Sequence, residues 1–126
     1  RPEDPGIANA LGFTLADHGR ELALAEKLIA QALQVSPDSP AIQDSHGWVL
    51  FRRGRAREAL PVLERAFANL RDPEIGAHFG EVLWSLGDQG RAHYVWQQAL
   101  SVDPENAVLR NTIARLTGEE PPPARP

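Results

Sequence analysis

A repeated spacing of small residues constrains this chain more strongly than any other feature of its sequence. In the middle of the chain, Gly47 and Gly54 are followed by Ala59 and Ala66, and a similar unit begins 35 residues upstream and 33 residues downstream. The corresponding residues are Gly12, Gly19, Ala25 and Ala32 upstream, and Gly80, Gly87, Ala92 and Ala99 downstream. A period in the low thirties with two helices per unit is typical of a stacked helical solenoid.

The starts and ends of the helices can be predicted from capping residues, prolines and glycines. Proline is favoured at the first helical position, because its missing N–H would be unpaired there anyway, and Asp or Ser before it can cap the helix. Such pairs are Asp4–Pro5, Ser39–Pro40, Asp72–Pro73 and Asp103–Pro104. We expect Gly19, Gly54 and Gly87 to end the first helix of each unit, since glycine adopts the left-handed conformation without strain.

The second helices carry a large residue between two alanines on one face. These sets are Ala25, Ile29 and Ala32, then Ala59, Leu63 and Ala66, then Ala92, Trp96 and Ala99. A spacing of four and three residues keeps each set on the same side of its helix. Glycine inside a helix costs about 1 kcal/mol relative to alanine, so its presence suggests close packing at that position. We therefore predict that the paired helices approach closely at Gly12, Gly47 and Gly80.

These spacings resemble the tetratricopeptide repeat, with a match that runs from Pro5 to about Asn106. The resemblance implies an all-α fold, a right-handed superhelical solenoid of three helix-turn-helix repeats with a C-terminal capping helix. The expected divisions are an N-terminal end at 1–4, repeats at 5–39, 40–72 and 73–104, the capping helix at 105–117, and a proline-rich disordered tail at 118–126. One extra residue between Gly19 and Ala25 departs from the pattern and predicts a longer turn there.

In this repeat family the first helices line a concave groove that receives an extended peptide or a partner helix. Helical geometry places a set of aromatic and polar residues on the face opposite the glycines. The predicted partner-binding residues are Asn9, Phe13, Asp44, Trp48, Phe51, Glu81 and Trp84, together with Arg115 on the capping helix. Large rigid rings dominate binding energy at interfaces, so the aromatic members are candidate anchors. The alternative is that the rings only pack between neighbouring first helices.

The family's best-known ligand, the acidic C terminus of a cytosolic chaperone, requires lysine, asparagine and arginine along the groove. The corresponding positions here hold Asn9, Phe13, Ser45, Glu74 and His78, so that clamp is missing. An apolar groove with acidic edges favours a hydrophobic or mildly basic protein segment instead. Arg115 is the groove cation that could meet a carboxylate.

Three segments, NALGFTLAD, DSHGWVLFRRG and HFGEVLWSLGD, carry a narrower resemblance. They look like the C-terminal repeats of proteobacterial outer-membrane tetratricopeptide lipoproteins, a group that includes an adaptor for a periplasmic carboxy-terminal processing protease. The resemblance implies a periplasmic location, a lipidated N-terminal part absent from this sequence, and the protease or its clients as partners; a cytoplasmic location is the alternative. The absence of Met and the opening Arg1–Pro2 also favour a piece of a longer chain.

Composition and motifs argue against several other functions. The net charge of −4 disfavours nucleic acid, including RNA, because its binding depends on a basic surface. No apolar run approaches the roughly eighteen residues that cross a membrane, so direct membrane insertion is not expected. The sequence has no Cys and no metal-ligand spacing among its histidines. Asp44, Ser45 and His46 are triad residue types, but consecutive helical residues diverge, so we predict no enzyme, cofactor or metal.

Three further readings stay open at this point. The chain could be the structural end of a longer solenoid, with the binding site elsewhere and an apolar edge at Ile7, Leu11 and Leu15 that pairs two copies. The run Arg52, Arg53, Arg55 and Arg57 could dock an acidic surface, although solvated arginines balanced by Glu58 and Glu64 are the expectation. The segment PPPARP could be a polyproline ligand for another domain, although a solvated tail is the prediction.

Overall fold

The computed structural model describes residues 4–123, and all regular structure in that part of the chain is α-helical. The helices are α1 (Pro5–Asp17), α2 (Leu22–Val35), α3 (Pro40–Arg52), α4 (Ala56–Asn69), α5 (Pro73–Ser85), α6 (Gln89–Val102) and α7 (Ala107–Thr117). The chain forms two compact units, Arg1–Ala66 and Phe67–Pro126, whose boundary falls inside α4. The predicted all-α class is confirmed, while the repeat boundaries remain predictions.

The first helices begin where the proline signals predicted. Asp4 Oδ1 accepts a hydrogen bond from the Gly6 N–H at 2.8 Å, and Ser39 Oγ accepts one from the Ile42 N–H at 3.3 Å. Asp72 caps α5 in the same way. Each cap satisfies a backbone donor that has no partner within its own helix. These three predicted helix starts are confirmed.

The predicted start of the capping helix at Asp103 and Pro104 is wrong, because α7 begins at Ala107. Asp103 Oδ1 accepts from the Glu105 N–H at 3.0 Å and forms a turn over the proline. Asn106 Oδ1 then accepts from the Leu109 N–H at 2.9 Å. Two good caps stand close together in this segment, and the second one starts the helix.

The turn of the first repeat differs from the other two turns between paired helices. Gly19, Gly54 and Gly87 have φ of +67°, +81° and +89°, which confirms their predicted left-handed conformation. In the first repeat an additional residue, Glu21, stands between the turn and α2, and it also has a positive φ of +46°. A left-handed conformation costs about 1–2 kcal/mol for a residue with a Cβ. The longer turn is therefore accommodated by a strained backbone at one position.

Close approach of paired helices is confirmed inside each unit. A Cβ placed on Gly47 would lie 2.5 Å from Leu63 Cγ, and one on Gly12 would lie 2.7 Å from Ile29 Cγ1. In the second unit, a Cβ on Gly80 would overlap the Trp96 indole. Each of these glycines therefore makes the space that the large residue of the neighbouring helix fills.

The first residues of the tail contact α7. Pro121 is buried, and the Arg110 guanidinium of α7 donates to the Pro121 carbonyl at 2.6 Å and to the Pro122 carbonyl at 3.1 Å. Proline carbonyls remain good acceptors although proline has no N–H to donate. Residues 118–123 have no regular structure, and the extended or disordered tail stays a prediction. Residues 124–126 lie outside the described part.

Candidate partner-binding residues

The predicted binding residues fall into two sets, one in each compact unit. Asn9 and Phe13 lie on α1, and Asp44, Trp48 and Phe51 lie on α3, all within the first unit. Within that unit α1 and α3 contact each other. Glu81 and Trp84 on α5 and Arg115 on α7 lie in the second unit. The prediction that they all serve one partner stays a prediction.

Trp48 lies in the core of the first unit. Its side chain is 4% exposed, and its Nε1 donates to Asp17 Oδ1 at 3.2 Å. The Phe51 ring packs against it with a centroid separation of 5.3 Å and remains partly exposed. Burial of this kind makes Trp48 the support beneath Phe51, and Phe51 is the ring of the pair that offers more surface to a partner.

The polar members of the first set differ in their surroundings. Asp44 is 7% exposed on α3. Asn9 is half-buried on α1, and its Oδ1 is buried without a hydrogen-bond partner among the described residues. Leaving a buried acceptor unpaired costs about 1–3 kcal/mol. A donor that reached Asn9 Oδ1 would recover part of that cost. Phe13, one helical turn further along α1, packs against the core beside it.

Glu81 and Arg115 form an ion pair in the second unit. Arg115 Nη2 donates to Glu81 Oε1 at 2.6 Å, and the side chain of Glu81 is 9% exposed whereas that of Arg115 is 58% exposed. The buried carboxylate is thus balanced by a cation from the capping helix. The acidic edge expected at Glu81 is neutralised inside the chain, and the guanidinium is the exposed part of the pair.

Trp84 belongs to a cluster of three rings in the second unit. Its ring centroid lies 5.8 Å from that of Trp96 and 5.7 Å from that of His93, and the last two rings are 5.5 Å apart in an edge-to-face arrangement. Such geometries suit aromatic pairs. His93 was not among the predicted binding residues. Its spacing of three residues from Trp96 places both side chains on one side of α6. Trp84 is half-buried and keeps an accessible side.

Two arginines of the run after α3, Arg53 and Arg55, form ion pairs, and Glu58 is one of the predicted partners. Arg55 Nη2 lies 2.9 Å from Glu58 Oε1, and this hydrogen-bonded partner raises the pKa of Arg55. Arg53 Nη1 and Arg55 Nη1 also lie 2.9 and 3.3 Å from Glu26 Oε1 of α2, a partner too distant in sequence to be predicted from local spacing. Arg52 Nε donates to the Ala16 carbonyl at 3.1 Å. These exposed pairs contribute little to stability individually.

His46 of α3 sits half-buried near these charges. Burial lowers the pKa of His46, and Arg55 lowers it further, while Glu26 acts in the opposite direction. The neutral imidazole is therefore the favoured form in the folded chain.

Residues 4–123 contain neither a metal-binding cluster nor a membrane-spanning helix. No group of three or more His, Cys, Asp or Glu side chains there is arranged to hold a metal ion. No described helix is both long and apolar enough to span a bilayer.

Comparison with solved structures identifies the class of fold. A TPR protein of Thermus thermophilus matches 94% of this chain and 66% of its own, with a TM-score of 0.78 and 23% identity. The first TPR domain of Spaghetti (RPAP3), bound to an HSP90 peptide, matches 94% of both chains with a TM-score of 0.75 and 15% identity. The chain therefore has the tetratricopeptide-repeat fold.

A curated relative agrees with this class. A TPR repeat-containing protein of Pseudomonas aeruginosa is 45% identical over 121 residues, which is 96% of this chain and 20% of the relative. Its name describes a protein that contains tetratricopeptide repeats. The chain spans about a fifth of the length of that relative. No protein-family model matches the chain.

Proposed function

We propose that this chain is a protein-interaction module that binds a peptide segment or a helix of a partner protein through its first helices. The observation that carries the proposal is the match of 94% of the chain to a tetratricopeptide-repeat domain that has a peptide bound. The proposal assigns no catalytic activity to the chain. The candidate contact residues lie on α1 and α3 in the first unit and on α5 and α7 in the second unit.

Two partly exposed rings are the best anchors for such a partner. Phe51 is supported from below by the buried Trp48, and Trp84 is supported by Trp96 and His93. A ring that is already fixed by its neighbours loses little side-chain entropy on binding, which favours affinity. Trp48 itself contributes by holding Phe51 in place rather than by contact.

The charges near these anchors favour a weakly charged, largely apolar segment. Glu81 is compensated by Arg115, so the second unit presents a paired carboxylate rather than a free acidic edge. The peptide ligand of the RPAP3 domain is an HSP90 peptide, but this chain lacks the cationic clamp expected for acidic chaperone termini.

A capture experiment with matched variants tests the proposal. The chain would be immobilised beside a Phe51→Ala, Trp84→Ala variant and a Tyr94→Ala control, because Tyr94 is 64% exposed on a second helix. We expect a partner from envelope or cytosolic extracts of a Pseudomonas strain to bind the unaltered chain and the control, and to be lost from the double variant.

Circular dichroism and thermal melts must show all three proteins folded at the capture temperature. Equal retention by the double variant would contradict the proposed anchors. Loss from the Tyr94→Ala control would place the contact on the second helices instead.

A structural role is the second candidate, favoured by exposed apolar side chains on α1. Ile7 is 56% exposed and Leu11 is 50% exposed, whereas Leu15 packs partly against the core. In this reading the face joins a neighbouring repeat or a second copy, and the partner site lies elsewhere. Sedimentation velocity at rising concentration should then show a dimer that Ile7→Ser with Leu11→Ser removes. A strictly monomeric chain at millimolar concentration would argue against the copy-to-copy contact.

We further propose, from the sequence resemblance, that the protein containing this chain works in the periplasm, tethered to the outer membrane, with a processing protease or its clients as partners. Fractionation of bacteria that express the whole protein with an epitope tag tests the location. Recovery from the envelope fraction, released by a lipid-anchor-site mutation, supports the proposal. Recovery only with cytosolic markers would favour the cytoplasmic alternative.

A further inference from the structure

The proline-rich segment after α7 is held against the helix by one arginine. Arg110 Nη1 donates to the Pro104 carbonyl at 2.9 Å and to the Pro122 carbonyl at 3.1 Å, and Nη2 donates to the Pro121 carbonyl at 2.6 Å. The bond to Pro104 anchors the guanidinium to the turn before α7. The two bonds to the tail therefore come from a donor group that the helical unit itself orients.

Backbone contacts at the end of α7 fix where the tail begins. Thr117 Oγ1 accepts from the Glu119 N–H at 3.1 Å and donates to the Ile113 carbonyl at 2.7 Å. Gly118, at φ +80°, turns the chain back toward the helix. The segment 119–122, here called the strap, consequently runs along the side of α6 and α7 instead of away from them.

The strap forms one wall of a cavity of about 170 Å³ in the second unit, whose lining also includes the polar residues His93, Gln97 and Thr117. Trp96 and Leu100 of α6, Ile113 of α7, and Pro121 and Pro122 of the strap line it. Pro121 is buried against this surface.

Proline chemistry matches what the site offers. Each proline fixes its own φ near −65° and pushes the preceding residue to an extended conformation, so Glu120–Pro121–Pro122–Pro123 is largely extended before it binds. Arg110 supplies N–H donors to the strap, and the neighbouring faces of α6 and α7 supply apolar side chains. A proline-rich segment supplies carbonyl acceptors and rings without unpaired N–H groups. Preformed extended segments of this kind are recognised with a small loss of entropy.

We propose that the surface formed by α6, α7 and Arg110 is a binding site for extended proline-rich segments, and that the chain's own strap occupies it in cis. Removal of the strap's prolines opens the site to a proline-rich segment of another molecule. None of the first-helix residues proposed above lines this cavity, although Trp96 of the cavity packs against Trp84, so the site adds a second peptide specificity beside the first.

The covalent connection of the strap to α7 decides how well a segment from another molecule competes for the site. A strap joined to α7 by a short connection has an effective concentration in the millimolar range. A peptide in trans therefore competes poorly while the strap is intact. Replacing the strap's prolines should make the same site available at much lower peptide concentration.

Fluorescence anisotropy of a labelled EEPPPARP peptide, added to the full chain, tests the proposal. We expect Pro121→Ser with Pro122→Ser in the chain to tighten binding of the peptide by about tenfold or more, because the resident strap no longer competes. Adding Arg110→Ala to that variant should abolish binding. Arg110→Lys keeps the charge but cannot donate to all the carbonyls at once, and it should also bind the peptide weakly.

The control peptide EEAAAARA should not bind any of these variants. Amide relaxation of Glu119 and Glu120 provides an independent readout in the otherwise unaltered chain: both amides should be as ordered as α7, and become mobile with Arg110→Ala. Equal peptide binding with and without the strap's prolines, retention by the Arg110→Ala variant, or no binding to the opened site would each overturn the proposal. Thermal melts confirm that the variants are folded.

Discussion

Three glycines of the first helices occupy places where a neighbouring side chain leaves no room for a methyl group. Gly12, Gly47 and Gly80 face Ile29, Leu63 and Trp96, which are at most 1% exposed. The packing of each of these helix pairs requires that the glycine lack a Cβ. The glycine supplies space, and the large partner supplies buried apolar surface.

Gly47→Ala should lower the free energy of unfolding by about 1–3 kcal/mol, because overpacking a filled interior forces its neighbours out of position. Gly90→Ala is the matched control: a Cβ at Gly90 meets nothing within 4 Å, and α6 should gain up to about 1 kcal/mol. Urea unfolding followed by circular dichroism measures both. A Gly47→Ala variant as stable as the unaltered chain would show that Leu63 can move aside.

His46 should make the chain less stable in mild acid. Its pKa in the folded state is lowered from 6.5, chiefly by burial, so the unfolded chain binds more protons as the pH falls. The free energy of unfolding should thus decline as the pH drops through and below 6.5, and be unaffected by this group well above that value.

His46→Gln should make that decline shallower between pH 7.5 and 5.5. Melting temperatures across the pH range provide the measurement. Parallel curves for the unaltered chain and the His46→Gln variant would contradict the assignment to His46.

Among the elements, the first turn between paired helices differs from the other two. Glu21 adopts a left-handed conformation without a side-chain hydrogen bond to the start of α2. The corresponding turns need only their glycine. The extra residue of the first repeat is therefore a local source of strain rather than of added contacts.

Glu21→Gly should raise the melting temperature by relieving that strain, with a gain of up to about 1 kcal/mol after the added flexibility of the unfolded chain is counted. Glu21→Ala removes the same side chain but keeps the Cβ, and it should not stabilise. Differential scanning calorimetry of the two variants separates conformation from charge. Equal melting temperatures for Gly and Ala at this position would indicate that the turn is relaxed.

Residues a few positions apart predicted most helix starts and ends. The features that could not be predicted depend on competition between nearby caps or on contacts between distant residues. Asp4, Ser39 and Asp72 cap their helices because a cap depends on residues two or three places away. The start of α7 was misplaced because Asp103 and Asn106 compete within one short segment. The strap's contact with α7 depends on Arg110, which lies 11 residues before Pro121, so a composition argument could not find it.

The candidate site shows the same division. The face of each first helix follows from helical geometry, but whether a ring on it is exposed depends on packing between helices. Asp17, which accepts the hydrogen bond of Trp48, lies 31 residues away in sequence. Arg115 was singled out as a groove cation, and its partner Glu81, 34 residues away, could not be paired with it from sequence alone.

At the scale of the whole molecule, charge is the property that most limits the choice of partners. The net charge is −4, and the arginines Arg53 and Arg55 are engaged by Glu26 and Glu58 rather than gathered as a basic surface. Binding to a phosphate backbone requires cations whose counterions are exchanged. This charge distribution disfavours a nucleic-acid ligand.

We therefore expect no binding of a labelled single-stranded RNA to the chain at 50 to 100 mM salt, measured by anisotropy. A basic repeat protein of similar size serves as the positive control. Binding that weakens steeply as salt is raised would contradict this prediction and revive a nucleic-acid function.

The burial of Trp96 gives the chain an intrinsic optical reporter. Its indole is 1% exposed, and its Nε1 has no hydrogen-bond partner among the described residues, so water cannot relax its excited state and emission should lie at short wavelength. Unfolding should shift that emission to the red. Because Trp48 is in the first unit while Trp84 and Trp96 are in the second, Trp48→Phe leaves a fluorescence signal that follows the opening of Phe67–Pro126 alone.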